Sequence, residues 1–163
     1  VVSSGYDARV NRATNDIRLR FGALSYGYIA LRELASFSPL HYRLTVDGAD
    51  PVEREASLVE VGNVGDLYPG VSLMPAASAH DGKLEVLVAS PRTAADVARM
   101  IGGVLRQASD EPLLDRLEGG TVTAEYAEPV MCQVDGDVVG PVRRIRFEVI
   151  PEAVRVILPS PPP

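Results

Sequence analysis

Apolar and polar positions alternate with a period of two along several short stretches. Tyr42, Leu44 and Val46 alternate with Arg43 and Thr45; Val122, Ala124 and Tyr126 alternate with Thr121, Thr123 and Glu125; Ile145, Phe147 and Val149 alternate with Arg144, Arg146 and Glu148. This period puts one face of a strand in a core and the other in water. Asp47-Gly48 turns the chain after the first stretch, and Arg54–Val61 supplies a return strand, so the two read as a hairpin. Val71–Met74 is a short strand, and Leu84–Val88 is nearly all apolar, as expected of a strand buried on both faces. In Val130–Gly140, Asp135-Gly136-Asp137 interrupts two apolar runs, and Asp-Gly between strand-like segments predicts a tight hairpin. A last apolar run, Val154–Leu158, precedes a loose Pro159–Pro163 tail.

Two segments follow the helical period instead. In Gly22–Phe37, Leu24, Tyr28, Leu31 and Leu34-Ala35 predict an amphipathic helix closed before Pro39. A second helix opens at Ser90 or Thr93, where Thr93-x-x-Asp96 resembles a capping box, and carries the stripe Val97, Met100-Ile101, Val104-Leu105. Leu113, Leu114 and Leu117 suggest a further short turn of helix, and Ala8–Arg20 reads as irregular or weakly helical. Seven or so short strands with turns between them predict a mainly β fold, an antiparallel β-sandwich or barrel decorated by two helices.

The chain has 163 residues and a mass of 17.4 kDa, which makes one domain over 1–158 the expectation. A net charge of −6 argues against a broad nucleic-acid surface, which needs clustered Lys and Arg. The single cysteine, Cys132, excludes an internal disulfide and a cysteine-based zinc site, and fits a reducing cytoplasm. No apolar run is long enough to span a membrane, and no signal peptide opens the chain. It begins at Val1 rather than Met, as expected of a piece of a longer protein.

Candidate chemistry is sparse. Ala23-Leu24-Ser25-Tyr26-Gly27 misses the hydrolase nucleophile elbow, which needs Gly where Ala23 stands, so Ser25 reads as an ordinary helix serine. Gly62-Asn63, Gly65 and Pro69-Gly70 crowd a loop that lacks the P-loop Lys-Ser/Thr. His41 and His80 lack partners at ligand spacing, and Cys132 reads as a buried small hydrophobe. Arg144 and Arg146 share the face away from Ile145 and Phe147; with Arg143 they are either solvated or in contact with an anionic membrane surface, at about 1 kcal/mol each. Asp135 and Asp137 leave two readings open: a solvated hairpin tip, or a rigid turn that holds two carboxylates where a hydroxyl loses its proton.

The ordered set Gly5-Tyr6-Asp7-Ala8, Leu44-Thr45-Val46-Asp47-Gly48, Val61-Gly62-Asn63, Pro75-x-Ala77, Asp81-Gly82-x-Leu84-Glu85-Val86 and Gln133-x-Asp135-Gly136-Asp137 spans nearly the whole chain. It resembles the C-terminal lobe of the diacylglycerol kinase and sphingosine kinase superfamily, above all the bacterial soluble diacylglycerol kinases and YegS-like lipid kinases. The resemblance implies a β-sandwich lobe of a two-lobed kinase. The partner is an N-terminal lobe that binds ATP through Gly-Gly-Asp-Gly-Thr, a motif this chain lacks. It also implies a lipid acceptor, most simply diacylglycerol converted to phosphatidic acid, with sphingosine or another long-chain alcohol as the alternative. The alternative from another class is a non-catalytic β-sandwich binding module. The family's Asp-Gly-Glu acid pair maps to Asp135 and Asp137, with Asp in place of the Glu that serves as proton acceptor. A structural Mg²⁺ maps to the Asp81 carboxylate with the main-chain carbonyls of Ser78 and Lys83. Tyr68-Pro69-Gly70 replaces the family's three glycines, and Asp7 matches a position to which no role is assigned. The location implied is cytoplasmic, with peripheral contact at the inner membrane face.

Overall fold

A computed structural model of the chain describes residues 1–5, 39–68, 71–106 and 111–155. The expected helix over 22–37, with Ser25, and the Pro-rich tail lie outside these residues, as does Asp7. Ten strands and one helix are described: β1 Val2–Gly5, β2 Leu40–Val46, β3 Val52–Ala56, β4 Leu58–Gly62, β5 Asp66–Tyr68, β6 Val71–Ser72, β7 Leu84–Ala89, α1 Ala94–Leu105, β8 Leu114–Gly119, β9 Thr121–Val134 and β10 Asp137–Glu148. Eight form one antiparallel sheet in the order β3-β2-β9-β1-β4-β7-β8, with β10 on the second edge of β9; β5 and β6 pair separately.

Strand β9 organises this sheet. Its first half pairs with β2, Val46 opposite Val122 through Tyr42 opposite Tyr126, and its last residues pair with β1, Val2 opposite Val134. Along its other edge runs β10, from Asp137 opposite Val134 to Glu148 opposite Thr121. The stretches around Tyr126 and Val130, separate strands by pattern, are therefore one strand. The ladder breaks between Val142/Val130 and Arg144/Glu125, so Tyr126–Pro129 face a single β10 residue, Arg143. Pro129 has no N–H for a ladder, and a bulge is where a strand tolerates it. Arg143 spans the break, its guanidinium donating to the Ala127 carbonyl at 2.5 Å and to the Glu128 carboxylate at 3.1 Å.

Curling brings the two halves of the sheet together around one core. Tyr42 and Leu44 from β2, Val59 and Val61 from β4, Val86 and Val88 from β7, and Val122, Ala124 and Val130 from β9 form a single cluster. The curl closes where β8 meets the β2 turn. A Cβ on Gly119 would lie 2.3 Å from Val46 Cγ1, and Asp47 Oδ1 accepts the Thr121 N–H at 2.8 Å. The Tyr126 hydroxyl meets Ser4 Oγ inside this layer, and Ser4 donates on to the Val59 carbonyl at 3.1 Å. Burial pushes the Tyr42 and Tyr126 phenols up to about 12, so both serve as neutral core groups.

The expected strands β2 and β7 and the helix α1 form, with corrections elsewhere. The β2–β3 hairpin forms, but Arg54–Val61 is not one return strand: it breaks at Ser57, and β4 leaves β2 to pair with β1 and β7. Val71–Met74 shortens to Val71–Ser72. At the start of α1 the capping box is reciprocal, Thr93 N–H donating to Asp96 Oδ2 at 2.9 Å and Asp96 N–H to Thr93 Oγ1 at 3.1 Å. The turn of helix expected from Leu113, Leu114 and Leu117 is instead the start of β8, whose backbone completes the free edge of β7. Three residues apart on a strand, Leu114 and Leu117 point to opposite faces; only Leu117 packs against the core.

Leu44→Ala is expected to lower stability by about 2–5 kcal/mol, because Leu44 is fully buried in the core cluster. Val52→Ala on the exposed edge strand should stay within about 0.5 kcal/mol. Urea unfolding of the two variants side by side measures the contrast.

Candidate active site at one end of the sheet

The Asp135-Gly136 turn is a two-residue connection, since Val134 and Asp137 pair directly. Both central residues take positive φ, 48° at Asp135 and 94° at Gly136, the signature of a type I′ turn. Asp-Gly suits this turn because Asp tolerates the left-handed region and Gly has no Cβ to clash. Asp135 N–H donates to the Val1 carbonyl at 2.8 Å. Both aspartates are exposed. The local chain therefore fixes their backbone and leaves the carboxylates facing solvent.

Asp81 sits at a second Asp-Gly turn on the same end of the sheet. Gly82 has φ 72°, and Asp81 Oδ1 accepts the Lys83 N–H at 2.9 Å. Ser78 Oγ accepts the His80 N–H at 3.3 Å. A carboxylate and main-chain carbonyls on an exposed turn suit a hard cation that keeps much of its water. Among the described residues no three His, Cys, Asp or Glu side chains cluster as a metal site, so an ion here would depend on those carbonyls. The turn borders an open cavity of about 1310 Å³, lined also by Val1, Val61, Arg146, Phe147 and Ile150. Val1, which lines this cavity, accepts the Asp135 N–H, while neither Asp135 nor Asp137 lines it. Strands β1 and β4 separate the two turns, and three strand spacings set them roughly 14 Å apart along the sheet. They are neighbouring sites on one rim, not ligands of one ion.

Other candidates resolve into structural roles. His41 is exposed, with Nε2 3.2 Å from Glu55 Oε1 on β3. Cys132 is buried, and burial pushes its thiol up, away from the reactive thiolate. Arg143, Arg144 and Arg146 lie against Glu128, Glu125 and Glu148 at 3.1, 3.6 and 3.1 Å. They present matched charge rather than a free basic stripe, which weakens the case for them as the anionic-membrane contact.

The residues that sequence reasoning passed over are Glu85 and Arg116. Glu85 Oε1 accepts from Arg116 Nη1 at 2.8 Å, and Glu85 Oε2 accepts the Ala76 N–H at 2.9 Å. The signal was available: Glu85 is the one acid in an otherwise apolar strand, and a carboxylate there must find a partner.

This rim of turns on a curled antiparallel sheet belongs to a defined class. Residues 1–158 match the family described as the YegS C-terminal NAD kinase beta sandwich-like domain, and the chain belongs to that family. The diacylglycerol kinases of two Mycobacterium tuberculosis strains, CDC 1551 / Oshkosh and ATCC 25618 / H37Rv, are each 26% identical to it over 161 residues, 98% of this chain and 51% of theirs. The chain thus spans about half the length of the curated relatives it matches. Two solved Bacillus anthracis str. Sterne structures share the fold. One, assigned provisionally as a diacylglycerol kinase, has a TM-score of 0.61 at 19% identity over 90% of this chain and 49% of its own. The other, a diacylglycerol kinase, has a TM-score of 0.54 at 18% identity over 90% of this chain and 46% of its own.

Gly136→Ala is expected to destabilise the lobe by about 1–2 kcal/mol, because its φ of 94° lies where an L side chain is strained. Gly136→Asn should recover part of the loss. Thermal unfolding of both variants gives the comparison.

Proposed function

We propose that this chain is the substrate-binding, acid-supplying lobe of an ATP-dependent lipid kinase, and that the full-length protein phosphorylates diacylglycerol to phosphatidic acid. The observation that carries the reading is the Asp135-Gly136-Asp137 turn. A local hairpin that needs only one acidic residue carries two, both exposed, at the end of the sheet. Membership of the family and the diacylglycerol kinase relatives support diacylglycerol as the acceptor. The half-length match agrees with a second, nucleotide-binding lobe in the intact protein, and the proposal includes peripheral contact with the cytoplasmic face of the bilayer that holds the substrate.

In this reading the acceptor hydroxyl approaches the turn with its proton aimed at a carboxylate. Asp137 takes that proton as the hydroxyl oxygen bonds to the γ-phosphorus of ATP and the bond to ADP breaks. Asp135, whose N–H donates to the Val1 carbonyl, orients the acceptor from the neighbouring position. Asp137 has one methylene fewer than the glutamate implied by family resemblance, so the acceptor must come closer to the backbone. Asp81, with the Ser78 and Lys83 carbonyls, would hold Mg²⁺ at the second turn. Bound there, Mg²⁺ supplies positive charge that stiffens the rim.

In the full-length protein, Asp137→Asn and Asp135→Asn are expected to lower kcat with diacylglycerol by about 100-fold or more. The KM for ATP should stay near wild type, and Asp137→Glu should retain activity. Near-normal kcat in both Asn variants would leave the turn a solvated hairpin tip. The isolated 163-residue chain is expected to make no phosphatidic acid from radiolabelled ATP.

A further inference from the structure

We infer that Glu85 and Arg116 are positioning residues that hold the 73–83 connection, and with it the Asp81 turn, in its ion-binding shape. The inference rests on the Mg²⁺ reading above. This connection joins β6 to β7 and crosses the sheet face opposite the core valines. Met74 anchors it, at 1% exposure, over Gly62, where a Cβ would lie 2.9 Å from the Met74 methyl carbon.

The polar contacts beside Met74 are specific. The Glu85 side chain is 1% exposed and that of Arg116 23% exposed. Arg116 Nη1 donates both to Glu85 Oε1 at 2.8 Å and to the Leu73 carbonyl at 2.6 Å. Glu85 Oε2 accepts the Ala76 N–H at 2.9 Å. The pair thus satisfies one acceptor and one donor of the connection's own backbone, on either side of Met74. A buried ion pair contributes little to stability compared with apolar packing of the same volume, but its directional bonds admit one arrangement. Here that arrangement is the path of the loop.

A second anchor follows the turn. Lys83 Nζ lies 3.3 Å from Glu118 Oε2. Glu118 and Arg116 are two apart on β8, so they share a face. Strand β8 therefore holds the loop at Leu73 and again at Lys83, and Glu85 of β7 holds it at Ala76, with Asp81 between. Asp81 Oδ1 in turn accepts the Lys83 N–H, which couples carboxylate orientation to the second anchor.

The test uses the full-length protein, with amide hydrogen exchange measured without metal and Mg²⁺ affinity measured by calorimetry. Glu85→Gln and Arg116→Met are expected to speed exchange across 73–83 by about 10-fold, while β4 exchange stays unchanged. The same variants should weaken Mg²⁺ binding by about 10-fold or more, as loss of an outer support does at metal sites. Arg116→Lys, which keeps a cation able to reach Leu73 and Glu85, should restore most of both. If Glu85→Gln does not fold, Glu118→Gln carries the test through the exposed anchor, with faster exchange at 81–83 expected. Unchanged loop exchange, or a loosened loop with unchanged Mg²⁺ affinity, overturns the inference. If the wild-type protein and Asp81→Asn alike take up no Mg²⁺, the metal reading fails and the positioning role falls with it. The metal-free exchange then shows separately whether the two anchors shape the loop.

Discussion

The fold depends on one strand having three partners. Strand β9 is paired along one edge by β2 and then by β1, and along the other by β10. No single straight ladder can do this while the sheet wraps a core. The bulge at Tyr126–Pro129 supplies the bend where the β2 partnership gives way to the β1 partnership, and bulged strands bend and twist more strongly. Arg143 donates to the Ala127 carbonyl within the break and to the Glu128 carboxylate beside it. Closure at Gly119, packed against Val46, completes the same bend from the other side.

The curl gives the sheet two unlike faces. Inside, valines from β4, β7 and β9 pack with Tyr42 and Leu44. Outside, one cross-strand row runs from Gln133 through Ser3, Glu60 and Leu87 to Arg116. Ser3 and Glu60 in that row are buried, as is Glu85 one step along β7. Gln133 donates to Ser3 at 2.6 Å two residues before the Asp135 turn. The apolar face gives cohesion without direction, whereas the polar row gives direction at small net energy. The rim that carries both Asp-Gly turns is where this second face ends, so the row sets the bases from which the turns project.

The chemistry of the rim follows from turn stereochemistry. Asp135-Gly136 and Asp81-Gly82 both put glycine at positive φ, and each aspartate is tied by short backbone contacts rather than by a buried network. Rigid backbone with exposed carboxylates suits a site completed by another body, whether a substrate, an ion or a second lobe. The chain spans about half the length of the diacylglycerol kinases it matches.

Local rules were enough for the elements whose stability is local. Alternation around Leu44 and Val122 named core faces correctly, the Thr93–Asp96 box marked the start of α1, and Asp-Gly marked the hairpin tips. The ordered motifs were enough for the family. Tertiary structure alone decided the rest, because each remaining feature is a choice between partners distant in sequence. Leu114 and Leu117 fit a helical period, but the open edge of β7 drew them into a strand. The break at Ser57 sent β4 to β1 and β7, a pairing that no pattern within Arg54–Val61 could specify. Glu85 announced that it needed a partner, yet only the register of β7 on β8 could name Arg116. Periodicity records which face a residue turns to the core; it does not record what waits on that face, because cross-strand neighbours are set by the fold as a whole.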